Sequence, residues 1–501
     1  MADACDLLVV GGGINGCGIA RDAAGRGLDV ALVEKGDLAG ATSSASSKLI
    51  HGGLRYLEQG HFRLVREALA ERARLMACAP HLVRPLRLVL PIVPGLRPAP
   101  LLRFGLFLYD RMAAGDLPGA AALDLARAAE GRALLPELKR GLVFSDAATD
   151  DARLTVLVAR DAAERGARIL PRTELLEARR EGALWTARLR GAGGGEQSLT
   201  ARVLVNAAGP WVGEVGRRTA AAPRGRVRLV KGSHIVLPRL YAGPHAYLLQ
   251  ERDGRVLFVL PFEEAFTLVG TTEVALAGSP EEAAISPEET DYLLAGLARL
   301  LRAAPTREDI VWSFAGVRPL YDDGSANVTA MNRDYVFDID APEGLAPLLT
   351  VYGGKLTTFR RLAEAALGRL ASHLPMGPDW TARATLPGGD IPQADFPAFV
   401  REMAARYPFL PEAECRRLSR SYGTRMTRFL GPARAAADLG RRLVAGLGEA
   451  ELEHLVREEW AMTTDDVLWR RTKLGLVAGA AERAAVAEAL ERLRVPPTKE
   501  D

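Results

Sequence analysis

One spacing constrains this chain more than any other: Gly11-x-Gly13-x-x-Gly16, set between the apolar run Asp6-Leu7-Leu8-Val9-Val10 and a helical pattern carried by Ile14, Ile19, Ala20 and Ala23. An apolar run that stops at glycine and resumes with helical periodicity reads as strand, tight turn, helix. A second apolar run, Val30-Ala31-Leu32-Val33, ends at Glu34 and completes a βαβ unit within about 30 residues. Glycine permits the tight turn and the close backbone approach of a pyrophosphate, whose charge then sits at the positive end of the helix. Glu34 is placed to accept hydrogen bonds from ribose hydroxyls and disfavours a 2′-phosphate, which points to FAD or NAD and away from NADP. Strands this uniformly apolar belong to a parallel sheet covered on both faces.

At 501 residues the chain is too long for one hydrophobic core, so two or three cooperating domains are expected. Its 65 basic and 62 acidic side chains nearly cancel, which gives no general reason to bind nucleic acid. The four cysteines, Cys5, Cys17, Cys78 and Cys415, form no close pair of the kind zinc sites or redox dithiols need, and a reducing cytoplasm fits them. Asp3 and Asp6 precede the first apolar run, so the start of the chain lacks the basic region of a signal peptide. The most apolar stretch, residues 86–109, is interrupted by Arg87, Arg97 and Arg103 and by prolines, and cannot serve as a membrane span.

Further along, a Ser-rich loop runs from Thr42 to Ser47, and residues 62–76 show helical spacing closed by Pro80. Asp150 and Asp151 cap a helix that Gly166 ends, and two alternating segments flank the glycines at 191–195 as a hairpin. Short strand patterns dominate residues 226–340, whereas the chain beyond about 394 is charged and helical and ends in a charged tail. The expected architecture is α/β, with a Rossmann-type domain from residues 1–80, 146–215 and 341–390. An antiparallel-sheet substrate domain is expected from residues 81–145 and 216–340, and a helical domain from residues 391–501.

Longer motifs sharpen this. Ala41-Thr42-Ser43-Ser44-Ala45-Ser46-Ser47-Lys48-Leu49-Ile50-His51-Gly52-Gly53-Leu54-Arg55-Tyr56-Leu57 closely resembles the signature of FAD-dependent glycerol-3-phosphate dehydrogenases. So do Gly11-Gly12-Gly13-Ile14-Asn15-Gly16, Lys231-Gly232-Ser233-His234, Gly316-Val317-Arg318-Pro319-Leu320 and Gly353-Gly354-Lys355-Leu356-Thr357-Thr358. The run from Asp465 to Lys473 is also family-like, but a capped helix with a basic face explains it, and no chemistry is assigned to it. The resemblance implies FAD as cofactor and oxidation of sn-glycerol 3-phosphate to dihydroxyacetone phosphate, with hydride passing from C2 to the flavin. It further implies that electrons reach ubiquinone or a similar quinone at the inner face of the cytoplasmic membrane, and that the enzyme is a homodimer.

Such a reaction needs a base for the C2 hydroxyl proton and cations for the phosphate dianion. The resemblance places Arg55, Arg318 and Lys355 around one pocket, where arginine grips phosphate through two bonds and lysine as a point charge. Tyr56 and Thr271 are candidates to hydrogen-bond substrate oxygens. His234, in an alternating strand, has an ordinary pKa suited to proton removal and is nominated as the base; His51 and Lys355 are its rivals. For the cofactor, Gly11, Gly13, Asn15, Gly16 and Glu34 supply the nucleotide end. Thr42, Ser43, Ser46, Ser47, Lys48, Leu49 and His51 supply hydroxyls, a cation and packing along its length. Gly209 ends an apolar strand that allows backbone approach, and the helix opening near Gly354, Leu356 and Thr357 aims its positive end at the flavin.

Residues 81–109 hold four arginines and no acid beside Leu101, Leu102, Phe104, Leu106, Phe107 and Leu108, all read as exposed. A basic, apolar surface of this kind suits an anionic membrane face. The motifs do not separate a quinone-linked dehydrogenase from an oxidase that uses oxygen. A non-catalytic flavin-binding scaffold, or an amine or amino-acid oxidase on the same fold, also stays open.

Overall fold

The computed structural model describes residues 3–494 apart from 114, 116, 220, 222–224 and 325–333; the charged tail lies outside the described residues. The fingerprint segment folds as its periodicity requires. Strand β1 (Asp3–Val10) leads through the glycine turn into helix α1 (Ile14–Gly25) and on to β2 (Val30–Glu34). β1 pairs in parallel with β2 on one side and with β3 (Glu196–Asn206) on the other. β3 in turn pairs in parallel with β9 (Leu348–Tyr352), and the antiparallel strand Val336–Asp340 closes that edge. Every residue of β9 is buried, as a strand covered on both faces demands.

Helices α4 (Asp151–Glu164) and α5 (Phe359–Leu370) pack on α1 over one face of this sheet. Gly18 is what lets α5 approach, since a Cβ there would lie 2.9 Å from the Phe359 ring. The Asp150 carboxylate accepts the Arg153 amide at 3.1 Å and so starts α4 where the sequence placed its cap.

A second, largely antiparallel sheet is built on β4 (Val227–Pro238), β5 (Ala246–Gln250), β6 (Val256–Phe262), β7 (Phe266–Gly270) and β8 (Trp312–Tyr321). The strands Arg84–Pro91, Arg140–Ala148 and Leu49–Ile50 extend it beyond β5. Leu49–Ile50 directly follows the Ser-rich loop, so that loop carries the chain from one sheet to the other.

Helices Phe396–Arg406, Glu412–Tyr422, Glu449–Glu459 and Ala480–Arg494 surround a separate core that contains Phe399, Leu418, Leu452 and Val467. This helical unit is fastened to α4 by Arg153 and Glu459, both almost wholly buried, with Arg153 Nη2 donating to Glu459 Oε1 at 2.9 Å and to the Ser421 carbonyl at 2.7 Å. Burial alone would raise the Glu459 carboxyl, but the Arg153 guanidinium, with the His454 ring 3.7 Å away adding to it, holds it well below the usual carboxylate range. The stability this supplies is present above the ordinary carboxylate pKa and is lost as pH falls through the depressed value. Glu459→Gln strands a buried guanidinium and is expected to cost about 3–5 kcal/mol, read as a lower midpoint in chemical denaturation at neutral pH.

Candidate active site

Two clefts meet between the sheets. The first, about 740 Å³, begins at Gly11, Gly13 and Asn15 at the head of α1, passes Glu34, follows Thr42, Ser43 and Ser46, and reaches Gly209, Gly354 and Leu356. The second, about 480 Å³, holds Arg55, Tyr56, Thr271, Arg318 and Lys355 on its walls. Thr42, Ser46, Gly316, Gly354, Lys355 and Leu356 border both, so the two are one continuous space with a waist at those residues.

The shape of the first cleft depends on missing side chains. A Cβ at Gly16 would fall 1.9 Å from the Gly11 carbonyl oxygen, and one at Gly11, where φ is +119°, would fall 2.5 Å from the Ala207 carbonyl oxygen. Only glycine at both positions lets the helix terminus, the turn and the end of β3 converge. Glu34 accepts the Gly12 and Gly36 amides, each at 2.7 Å, which fixes its carboxylate beside the turn; burial nevertheless raises its pKa. The open helix terminus, the fixed carboxylate and the length of the cleft together fit the ADP half of a dinucleotide, with room beyond it for the isoalloxazine end of FAD.

The Ser-rich loop is held down at each hydroxyl. Thr42 Oγ1 donates to the Val317 carbonyl at 2.6 Å, Ser43 Oγ accepts the Ile14 amide at 2.9 Å, and Ser46 Oγ donates to Asp151 at 2.7 Å. Lys48 does not reach the first cleft. Its ammonium is buried, paired with Asp151 at 2.7 Å and donating to the Ser44 carbonyl at 2.9 Å, so it braces the loop from behind and offers no charge to a pyrophosphate. Leu49, Ser47 and Thr357 line the second cavity.

Arg318 comes from β8 and Thr271 from the chain just beyond β7, and Arg318 Nη2 donates to Thr271 Oγ1 at 3.1 Å. Gly232 makes that meeting possible, because a Cβ there would stand 2.6 Å from Thr271 Oγ1 and 2.7 Å from Arg318 Nη2. Lys355 Nζ lies 3.9 Å above the Tyr56 ring, a cation held on an aromatic face. Arg55 and Tyr56 both belong to the short helix α2 (Arg55–Glu58). Four distant stretches of chain therefore deliver three cations, a tyrosine and a threonine to one cavity.

The two histidines stand in different surroundings. His234 does not line the cavity. Its ring is stacked on Phe314, its Nε2 is 2.9 Å from Ser47 Oγ, and burial beside Arg318 and Lys48 drives its pKa well below the ordinary value. It fills the space behind the wall, above Gly270, where a Cβ would come within 2.1 Å of the ring. His51 is on the wall itself, edge-on to Phe258. Burial, with Lys355 and Arg72 adding to it, lowers the His51 pKa to about 4, so the imidazole is neutral at pH 7, as burial also leaves His234. Its loop is fixed by the Gly52 amide donating to Tyr109 Oη at 2.8 Å, with Tyr109 donating to Asp146.

One wall of the first cleft comes from a stretch of chain that, its family-like motif aside, carries no local sign of this placement. Thr463, Asp465, Asp466, Trp469 and Arg470 of the helical unit line it. They are carried on the π-helical turn Asp466–Arg471 and its approach, docked through Arg470 to Asp37 at 2.5 Å, Arg172 to Asp466 at 2.7 Å, and Trp469 stacked on Trp312 at 4.5 Å. The family-like run from Asp465 to Lys473 was the available signal, and its capped-helix explanation hid it.

The chain is similar to known proteins over nearly its whole length. Residues 6–360 match the family model described as FAD dependent oxidoreductase, and residues 380–495 match the C-terminal domain of alpha-glycerophosphate oxidase. The chain is 50% identical to a D-erythritol 1-phosphate dehydrogenase of Brucella abortus, over 97% of both chains. It is 49% identical to a glycerol-3-phosphate dehydrogenase of Pseudomonas aeruginosa, over 98% of this chain and 96% of that one. Among solved structures, the glycerol-3-phosphate dehydrogenase of Bacillus halodurans complexed with FAD superimposes with a TM-score of 0.76 at 27% identity, over 99% and 97% of the two chains.

Gly232→Ala tests the clamp without removing any charge. The added methyl is expected to push Thr271 and Arg318 apart and to weaken binding of inorganic phosphate to the holoenzyme by about tenfold, measured by titration calorimetry.

Proposed function

Because the chain belongs to the FAD-dependent glycerol-3-phosphate dehydrogenase family, we propose that it oxidises sn-glycerol 3-phosphate at C2 to dihydroxyacetone phosphate and passes the electrons to a membrane quinone. The observation that carries this reading is the convergence of Arg55, Arg318 and Lys355 on a cavity continuous with the nucleotide cleft. When bound, FAD supplies the two-electron acceptor that no side chain provides. Arg55 and Arg318 offer paired donors to a phosphate dianion, and Lys355 stands at the waist, where it also favours negative charge developing on the C2 oxygen.

Proton removal falls to His51 in this reading. It faces the cavity, it is neutral, and its loop is anchored through Tyr109 and Asp146; His234, walled off behind Ser47, positions the Ser-rich loop. Addition of sn-glycerol 3-phosphate under anaerobic conditions is expected to bleach the flavin absorbance, and an unbleached spectrum rejects the reading. His51→Asn is expected to slow bleaching roughly 100-fold, and His234→Ala by less than about tenfold. The limiting bleaching rate should stay flat from neutrality down to about pH 5 and fall as pH drops through about 4, where His51 gains its proton. A limb at the ordinary histidine pKa would assign the base elsewhere.

A second substrate has support of its own. The 50%-identical relative is named for D-erythritol 1-phosphate, and a cavity of 480 Å³ is ample for a fourth carbon. The same clamp and the same base serve either polyol phosphate.

The route to the acceptor is read from helix α3 (Ala99–Met112). Leu102, Leu106 and Tyr109 are buried beneath it, contrary to the expectation that Leu102 and Leu106 are exposed, while Leu101, Phe104 and Phe107 form an outward stripe, each at least 50% exposed. Leaving such side chains in water forfeits roughly 1 kcal/mol apiece at half exposure. Arg103 and Arg111 flank the stripe, and Leu101 and Phe104 also border the catalytic cavity, so an apolar mouth lies beside a basic, apolar surface. No helix among the described residues is long and apolar enough to cross a membrane. Peripheral attachment through α3 at the inner face of the cytoplasmic membrane suits that arrangement. Phe104→Asp combined with Phe107→Asp is expected to abolish sedimentation with phosphatidylglycerol vesicles while leaving anaerobic bleaching intact.

A further inference from the structure

Gln250 is the last residue of β5, is only 7% exposed, and lines the catalytic cavity. Neither its amide nitrogen nor its carbonyl oxygen has a hydrogen-bond partner among the described residues. On its face of the sheet Val256 stands opposite it on β6, and Leu248, two positions back on β5, is paired with Phe258. A buried carboxamide with both functions open is destabilising, and such a group persists where a ligand completes it.

Strand order fixes its place relative to the clamp. β5, β6 and β7 are successive neighbours, and the chain leaves β7 directly into Thr271, the partner of Arg318. Gln250 thus stands two strand spacings, roughly 10 Å, from the strand that delivers Thr271. The chemistry of the two open functions narrows the ligand. A carbonyl group could satisfy only the nitrogen, whereas a hydroxyl can serve either function, and two adjacent hydroxyls serve both at once.

We propose that Gln250 reads the hydroxyl-bearing end of the polyol phosphate, and that the cavity takes a four-carbon chain as well as a three-carbon one, the additional carbinol completing a vicinal diol on the carboxamide. This deepens the polyol-phosphate reading above and rests on it. Glycerol 3-phosphate, with its C2 hydroxyl at the reacting centre, has one hydroxyl left for Gln250; a four-carbon substrate has two.

The test compares wild-type and Gln250→Met holoenzymes by anaerobic flavin bleaching with sn-glycerol 3-phosphate and with D-erythritol 1-phosphate. Wild type is expected to bleach with both. Gln250→Met should raise the half-saturating concentration of the four-carbon compound about tenfold or more, and that of the three-carbon compound by less, with limiting rates within about threefold of wild type. Its thermal midpoint should be unchanged or higher, because an apolar group of similar length replaces an unsatisfied amide. Gln250→Asn, which keeps the carboxamide on a shorter stem, should fall between the two. Unchanged half-saturation for both compounds in both variants overturns the proposal, as does a wild-type enzyme that bleaches with the three-carbon compound alone; in either case the dehydrogenase reading stands. Bleaching with neither compound sinks that reading itself. A shift confined to half-saturation by a soluble quinone in steady-state turnover would move Gln250 to the acceptor site and overturn its role in polyol binding.

Discussion

Like charges resist being gathered, and this structure gathers three of them. Arg55, Arg318 and Lys355 border one cavity, together with the acids Glu58, Asp146 and Glu273, and repulsion there is screened less than in water. Much of the surrounding architecture is intelligible as the means of keeping them there. Gly232 clears the space in which Arg318 reaches Thr271, the Tyr56 ring carries Lys355, and the Ser-rich loop is pinned to α4 and β8 so that the wall bearing them cannot relax outward. On the proposed reading, a doubly negative ligand would relieve the repulsion, and the strength of that binding would be set in part by the scaffold that holds the three cations together.

The two cavities divide the labour between backbone and side chain. In the nucleotide cleft the decisive features are absences of side chain, at Gly11 and Gly16, and the polar atoms of a helix terminus. In the substrate cavity they are side chains drawn from distant parts of the sequence. That division explains what could be read from the residues alone. A turn that only glycine can make leaves a local pattern, so the βαβ unit, the place of Glu34 at the end of β2 and the cap at Asp150 were legible from spacing, as were the hairpin around residues 191–195 and the helical end of the chain. Convergence of Arg55, Arg318 and Lys355 leaves no local pattern, and only the family-like motifs pointed to it.

What stayed hidden has a common cause. Direction, more than identity, decides what a side chain can do. His51 and His234 are each sensible bases on chemical grounds, and nothing in their neighbouring residues says which ring faces the cavity and which lies behind Ser47. Lys48 has the charge for a pyrophosphate, yet Asp151, more than one hundred positions along the chain, claims it. In α3 the arginines and leucines suggested a wholly exposed surface, whereas one face, with Leu102 and Leu106, is core and only the stripe through Phe104 is outward. Trp469 and Arg470 lie so far along the chain from the fingerprint that their part in the nucleotide cleft is a property of docking alone.

That docking bears on how the protein is made. The glycine turn and both sheets are complete in the chain well before residues 463–470 are added, yet those residues supply a wall of the nucleotide cleft. During synthesis every strand of both sheets therefore leaves the ribosome before the residues that supply this wall, and the cleft is complete only once the helical unit has docked against them.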